Sequence, residues 1–205
     1  MDIDKHSIVL RAAKPTVNEG LICGNYLDEV AEGFFRIMLG HSFAEIIARA
    51  YISPNHSYSY QNVVFAECDN RIVGMGLGFT AEQHHGFSEQ PLREAAGRRI
   101  LRMRIVNILF APMLQILKTI ADGDFYLLSM GVDKNFRGKG IGSTLIDSIE
   151  EQARASGSTR LSLDVSATNE GARLLYEHRG MNIESQWPRR IPIPGVKFYR
   201  MTKSL

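Results

Sequence analysis

The sequence predicts an α/β (α+β) fold: a mixed, mostly antiparallel central sheet that holds one parallel pair of strands, with helices on both faces. Three observations predict it. Residues 58–68 and 71–80 are β-rich runs joined by the turn-prone pair Asp69-Asn70, the pattern of an antiparallel hairpin. The last third then alternates strand (125–132), helix (140–156), strand (160–165) and helix (169–179), an order that lays two parallel strands side by side. Finally, 205 residues with 44% apolar and 22% charged side chains can bury a core without disulfides or metal. That size suits one domain over 1–205 with a helical insertion at about 81–122.

In chain order, residues 7–11 (Ser-Ile-Val-Leu-Arg) read as a first strand closed by Pro15. Val17, Leu21, Ile22, Leu27, Val30 and Phe34 recur at helical intervals, and a second helical piece over 43–50 ends near Ser53-Pro54. In the hairpin, Gly74, Gly76 and Gly78 alternate, which leaves one strand face as bare backbone for close packing or a bulge. The 81–122 stretch is too long for a bare connection. Pro91 is placed to start a helix there, and Gly97 weakens it. From 100 to 121 nearly every residue is apolar, with Arg104, Asn107, Gln115 and Lys118 forming a narrow polar stripe. That predicts a mostly buried helix or helix pair, with Pro112 as its kink or the first residue of a second helix. Arg102, Arg104, Lys118 and Pro112 speak against a membrane span. The helix at 140–156 shows an apolar face of Ile141, Leu145, Ile149 and Ala153, with Gly157 past its end. The helix at 169–179 buries Ala172, Leu175 and Tyr176, and Gly180 stops it; 181–185 and 197–201 read as closing strands.

A formal charge of +2 is too small for a general polyanion binder. Arg93, Arg98, Arg99, Arg102 and Arg104 therefore read as a solvated face or anion-facing rim rather than a nucleic-acid site. Cys23 and Cys68 are the two cysteines, which points to a reducing compartment, and the charged start Met1-Asp2-Ile3-Asp4-Lys5 is no secretory leader. The expected location is cytoplasmic.

Chemistry concentrates in the link from Val132 to Ser143, Val-Asp-Lys-Asn-Phe-Arg-Gly-Lys-Gly-Ile-Gly-Ser, between an apolar strand and an amphipathic helix. Alternating Gly138, Gly140 and Gly142 let the backbone turn tightly and present N–H groups at a helix N-terminus, an anion site. Arg137, Lys139 and Lys134 add positive charge, so the expected ligand carries phosphates. Two common nucleotide loops fail here. Gly138-Lys139 is followed by Gly140 rather than Ser or Thr, and the third glycine of a dinucleotide fingerprint is Ser143.

What remains is Arg-x-x-Gly-x-Gly over Arg137, Gly140 and Gly142, which resembles the acyl-coenzyme A signature of the GCN5-related N-acetyltransferase (GNAT) superfamily. The resemblance continues through Asn169-x-x-Ala172-x-x-x-Tyr176-x-x-x-Gly180-Met181, similar to the family's second motif, and together the two cover about 125–185. It implies a sheet splayed beside Met130, with the pantetheine of acetyl-CoA along Met130, Gly131 and Val132. Its pyrophosphate would lie on Arg137, Gly138, Lys139, Gly140, Ile141, Gly142 and Ser143. The acetyl carbonyl would take a backbone hydrogen bond near Met130, a donor that also serves a developing oxyanion. Tyr176 matches the family's thiol-protonating acid. On the residues alone, Met130 is equally a strand core residue and Tyr176 a core tyrosine. Asn169 contacts the cofactor or, like Ser166 and Thr168, only caps a helix.

The general base stays unassigned. Some family members carry a glutamate midway along the strand before the loop, where this chain has Tyr126. Glu67, Glu82, His84, His85 and water are the candidates. His84-His85 has no further ligand at a zinc spacing, so no metal is expected. The implied function is transfer of an acetyl group from acetyl-CoA to a primary amine of a small molecule or peptide by direct attack. The alternative is a non-catalytic acyl-CoA sensor or interaction module on the same fold. Acceptor choice falls to the first helices, the insertion and the 187–192 loop, where Trp187 offers a stacking wall and Arg189 and Arg190 a carboxylate site. The apolar insertion either roofs the acceptor pocket or makes a homodimer surface.

Overall fold

In chain order the elements are β1 (Ile8–Ala12), α1 (Val17–Val30), α2 (Phe34–Leu39), α3 (Phe43–Tyr51), β2 (Val63–Cys68), β3 (Arg71–Thr80), α4 (Ala81–Gly86), α5 (Gln90–Ala96) and α6 (Ile100–Leu109), followed by β4 (Asp124–Val132), α7 (Ile141–Ala155), β5 (Arg160–Ser166), α8 (Glu170–His178), β6 (Asn182–Trp187) and β7 (Phe198–Ser204). The computed structural model describes residues 8–111, 119–188 and 197–205. Pro112, Gln115, Lys118, Arg189 and Arg190, singled out above, lie outside the described residues. Among the described residues the sheet has seven strands in the order β1-β2-β3-β4-β5-β7-β6. Only β4 and β5 run parallel.

The hairpin forms where the sequence places its turn. Asp69 (φ 50°) and Asn70 (φ 59°) are both left-handed, the twist that two-residue hairpin turns require and that Asp and Asn tolerate. Its first strand starts later than expected, at Val63. Residues 60–62 form a 3-10 turn, because Asn62 Nδ2 donates to the His56 carbonyl (2.9 Å) and His56 Nε2 bonds the Ala50 carbonyl (2.8 Å), folding the segment back on α3.

The glycine stripe of β3 is explained by α7. A Cβ on Gly74 would stand 3.2 Å from the Ile141 and Leu145 side chains, and one on Gly76 3.4 Å from Ile149. Ile141, Leu145, Ile146 and Ile149 are fully buried against this bare face. Each contributes about 1.5–3 kcal/mol by leaving water. The opposite face carries α1, which meets α3 through small residues: a Cβ on Gly20 would lie 2.7 Å from Ala48 Cα.

The first helix ends sooner than its periodicity suggests. Glu32 (φ 51°) and Gly33 (φ 87°) turn left-handed, the Gly33 amide donates to the Asp28 carbonyl (2.8 Å), and α2 begins at Phe34. The buried Asp28 carboxylate accepts the Arg36 amide (2.8 Å) and guanidinium (3.1 Å), fixing α2 at this corner. Gly97 (φ 50°) likewise separates α5 from α6.

Two expectations about the insertion are corrected. α6 is not mostly buried: Met103 and Val106 face the core, whereas Leu101, Ile105, Ile108 and Leu109 are 50–73% exposed. It docks on α2 by one narrow face. Two of its arginines are also not simply solvated: Arg99 Nη1 donates to the Leu39 carbonyl (2.8 Å) and Arg102 Nε to the Ile37 carbonyl (2.9 Å), whereas Arg98 and Arg104 are exposed as expected. Arg99 and Arg102 satisfy orphan carbonyls at the end of α2, a favourable place for cations. Among the described residues no helix is long and apolar enough to cross a membrane.

Candidate active site

The site is built where the two parallel strands part. β4 and β5 pair from Asp124↔Arg160 to Leu127↔Leu163 and no further. On its other edge β4 carries an extra residue at Leu128, since Leu77 pairs with Ser129 and Gly78 with Leu127. Such a bulge bends the strand and sharpens its twist. Beyond it, Ser129–Val132 runs on without a β5 partner; the Val132 carbonyl is taken by Arg137, and the main chain before it is left unpaired on that side for a ligand. The expected splay beside Met130 is therefore present.

A cavity of about 410 Å³ fills the split. Met130, Asn169 and Tyr176 line it, so the structure brings these three predicted residues together. Tyr176 is buried, and burial alone pushes its phenol up to about 12. The hydroxyl thus stays protonated through neutral pH. Asn169 caps α8, its Oδ1 accepting the Ala172 amide at 3.1 Å, and it also lines the cavity. The carboxylate of Asp164 on β5 and the phenol of Tyr126 on β4 also line the cavity. Tyr126 Oη donates to Asp164 Oδ2 (2.8 Å), while Arg200 of β7 grips both Asp164 oxygens at 2.7 Å and donates to the Thr119 carbonyl at 3.0 Å. Burial raises the Asp164 carboxyl and Arg200 opposes that rise; Tyr126 is pushed far up by burial and by the Asp164 charge. Ser129 adds a buried hydroxyl that no described group partners.

The glycine loop stands beside the free end of β4. Asp133 opens it, its Oδ1 accepting the Asn135 amide (2.9 Å) and its Oδ2 the Arg71 guanidinium (2.9 Å). Gly138 (φ 74°) and Gly140 (φ 84°) take left-handed conformations closed to most side chains. Gly140 is the N-cap of α7 and supplies no side-chain acceptor, so the amides of Ile141, Gly142 and Ser143 open a helix N-terminus uncapped by any side chain. Lys139 lies over the Phe136 ring (5.1 Å). Arg137 points elsewhere: Nε donates to the Val132 carbonyl and Nη2 to Glu29 of α1, each at 3.0 Å. It ties loop, strand and helix together.

The base candidates fall outside the cavity lining. Glu67 is held by Arg11 at the β1–β2 edge. His84 stacks on Phe79 (5.4 Å between centroids) on α4, with Glu82 and His85 beside it, and burial lowers its pKa. Among the described residues no cluster of three His, Cys, Asp or Glu side chains is placed to hold a metal.

The family model for the acetyltransferase (GNAT) family matches residues 39–181, well over half of the chain. The chain belongs to this family. Mycothiol acetyltransferase of Beutenbergia cavernae is 40% identical over 72 residues, which is 35% of this chain and 24% of that protein, so the chain spans about a quarter of that curated relative. A solved acetyltransferase is 25% identical over 96% of this chain and 98% of its own, with a TM-score of 0.69. Arabidopsis thaliana Naa50, solved with the bisubstrate analogue CoA-Ac-MVNAL, shares the fold at 17% identity and a TM-score of 0.55, covering 97% of this chain and 99% of its own.

Sequence reasoning missed Asp164, Arg200 and Ser129. One signal was present. In Leu161-Ser162-Leu163-Asp164-Val165 the apolar residues alternate toward α7, which leaves Asp164 on the face shared with Tyr126 in a strand otherwise buried.

Proposed function

We propose that this GNAT protein is an N-acetyltransferase that moves the acetyl group of acetyl-CoA to a primary amine by direct attack. One observation supports the reading above the rest: Met130 at the β4–β5 split, Asn169 and the protonated Tyr176 line one cavity, and the loop that leads from the end of β4 opens on the uncapped amides of α7. The residues fit acetyl-CoA as substrate. The amides of Gly138–Ser143 and Lys139 suit the pyrophosphate, and the stretch Met130, Gly131 and Val132, which has no β5 partner and whose last carbonyl Arg137 holds, suits an extended amide-bearing arm. Arg137 holds the loop in place through Val132 and Glu29.

The chemistry follows from these positions. A neutral amine adds to the thioester carbonyl, and the Met130 amide stabilises the oxyanion as it develops. The C–S bond then breaks, and Tyr176 gives its proton to the departing sulfur while the amine proton passes to water. Tyr176 regains its proton from solvent. The test is release of free thiol when the protein, acetyl-CoA and a panel of primary amines are mixed, with the N-acetyl product identified by mass. Acetylated amine supports the reading. Acetyl-CoA that binds but is never consumed with any amine supports the sensor alternative instead.

A further inference from the structure

Resting on that reading, the inner end of the cavity shows how the attacking nitrogen is held. Tyr126 lies in the part of β4 still paired with β5, and Asp164 comes one residue after the last paired position, Leu127↔Leu163. The register puts Tyr126 and Asp164 on one face of the sheet, and Asp164 stands opposite Arg200 of β7. The three side chains are buried, and Tyr126 and Asp164 line the cavity.

The hydrogen-bond directions in this trio are forced. A guanidinium offers only N–H donors and keeps its charge, so Arg200, gripping both Asp164 oxygens at 2.7 Å, holds that group as a carboxylate. A carboxylate only accepts, so the 2.8 Å contact is Tyr126 Oη–H donating to Asp164 Oδ2. The hydroxyl proton is committed, and Tyr126 has only the lone pairs of Oη to offer a further partner. The ring is fixed as well, with the Arg200 guanidinium 5.4 Å and the Phe79 ring 6.0 Å from its centre. Burial and the Asp164 charge push the phenol far up, so at neutral pH the hydroxyl stays intact. Ser129, also in the lining, keeps a second buried hydroxyl without a described partner, a cost that a polar ligand would remove. In the proposed pose the acetyl-CoA arm leaves Met130 toward Val132 and the loop, so the acceptor lies on the Tyr126 side of the thioester.

We infer that Tyr126 is a catalytic residue for the acceptor: its Oη receives an N–H of the incoming amine and turns the nitrogen lone pair toward the thioester carbon, while Asp164 and Arg200 are positioning residues that fix the direction of the hydroxyl. The amine proton still leaves to water.

The experiment assays four primary amines with different bodies, n-butylamine, glucosamine, phenylalanine and the dipeptide Ala-Ala, at saturating acetyl-CoA on the full chain. Variants are read on whichever is acetylated fastest. Tyr126→Phe keeps the ring and leaves Asp164 in the grip of Arg200. Its expected kcat/KM for the amine is about 10–100-fold lower, with the loss in kcat and the acetyl-CoA Kd within about twofold of the native value. Asp164→Asn, whose amide donates back to Oη, is expected to lose a similar factor. Added to Tyr126→Phe it should cost nothing further, because Asp164 acts through that hydroxyl. A native kcat/KM in Tyr126→Phe overturns the inference, and so does a loss explained by weaker acetyl-CoA binding. Additive losses in the double variant remove Asp164 and Arg200 as positioning residues. Should Asp164→Asn fail to fold, Tyr126→Phe alone decides the claim. If the native chain acetylates none of the four amines, the acetyltransferase reading falls and this inference with it; if it acetylates one and Tyr126→Phe is unimpaired, only this inference falls.

Discussion

Replacing Tyr176 with Phe isolates the proton donor. The residue is buried in α8 facing the cavity, and its pKa of about 12 is set by desolvation, with no charged or hydrogen-bonding neighbour contributing. Losing the hydroxyl therefore leaves no described protein group unpartnered, and the ring still fills its place beside Leu175 and Met181. The folding cost should be within about 0.5 kcal/mol. The catalytic cost is larger. A positioned general acid contributes about 10²–10⁴-fold, or roughly 2.7–5.5 kcal/mol of barrier at 1.36 kcal/mol per decade. The whole loss should appear in kcat, while KM for acetyl-CoA stays within about twofold, because an interaction made only as the C–S bond breaks does not aid binding. Thiol-release kinetics under varied acetyl-CoA read both constants. A variant with wild-type kcat, or one impaired only through KM, would refute Tyr176 as the acid.

Other consequences can be checked separately. Arg200→Ala leaves the buried Asp164 charge unmatched and should cost about 3–5 kcal/mol in urea unfolding, and Arg200→Lys should not fully restore it because a single ammonium cannot grip both oxygens. Wild-type stability in Arg200→Ala would contradict the pairing. Gly20→Ala pushes a methyl to within 2.7 Å of Ala48 Cα, and should destabilise by about 1–2 kcal/mol even after the helix-propensity gain; a more stable variant would contradict the α1–α3 contact. His56 and His84 both have pKa values lowered from 6.5 by burial. The unfolded chain then takes up protons that the folded one refuses, so stability falls as pH drops through 6.5. Denaturation midpoints from pH 7.5 to 5.5 should show this, and His84→Phe should flatten part of the slope.

The parts of the fold legible in the sequence are those in which nearby residues carry the signal. Asp69-Asn70 announces its hairpin because two left-handed residues in a row suit few side chains, and the glycine loop is readable because each glycine answers a local backbone need. Gly74 and Gly76 hinted at close packing and α7 supplied it. The misreadings arise where partners are distant in sequence. Periodicity shows that α6 has an apolar surface but not how much of it finds a partner, and Leu101 and Ile108 find none among the described residues. Arg99 and Arg102 look like surface charge until the end of α2, some 60 residues earlier, comes beside them. In the candidate site, the family resemblance points to Met130, Tyr176 and Asn169, and these three line one cavity. Asp164 and Arg200 meet only when β5 and β7 pair, and no spacing along the chain announces that.

The central claim is that acetyl-CoA occupies the split between β4 and β5 and the amides of the Gly138–Ser143 loop. Thermal unfolding with and without acetyl-CoA tests it most directly. At a ligand concentration one hundred times Kd, linkage gives about 2.7 kcal/mol of stabilisation, a Tm rise of roughly 5–11 °C for a chain of this size. That rise is the predicted result. No shift at millimolar acetyl-CoA would contradict the claim and remove every ligand role assigned between Met130 and Tyr176.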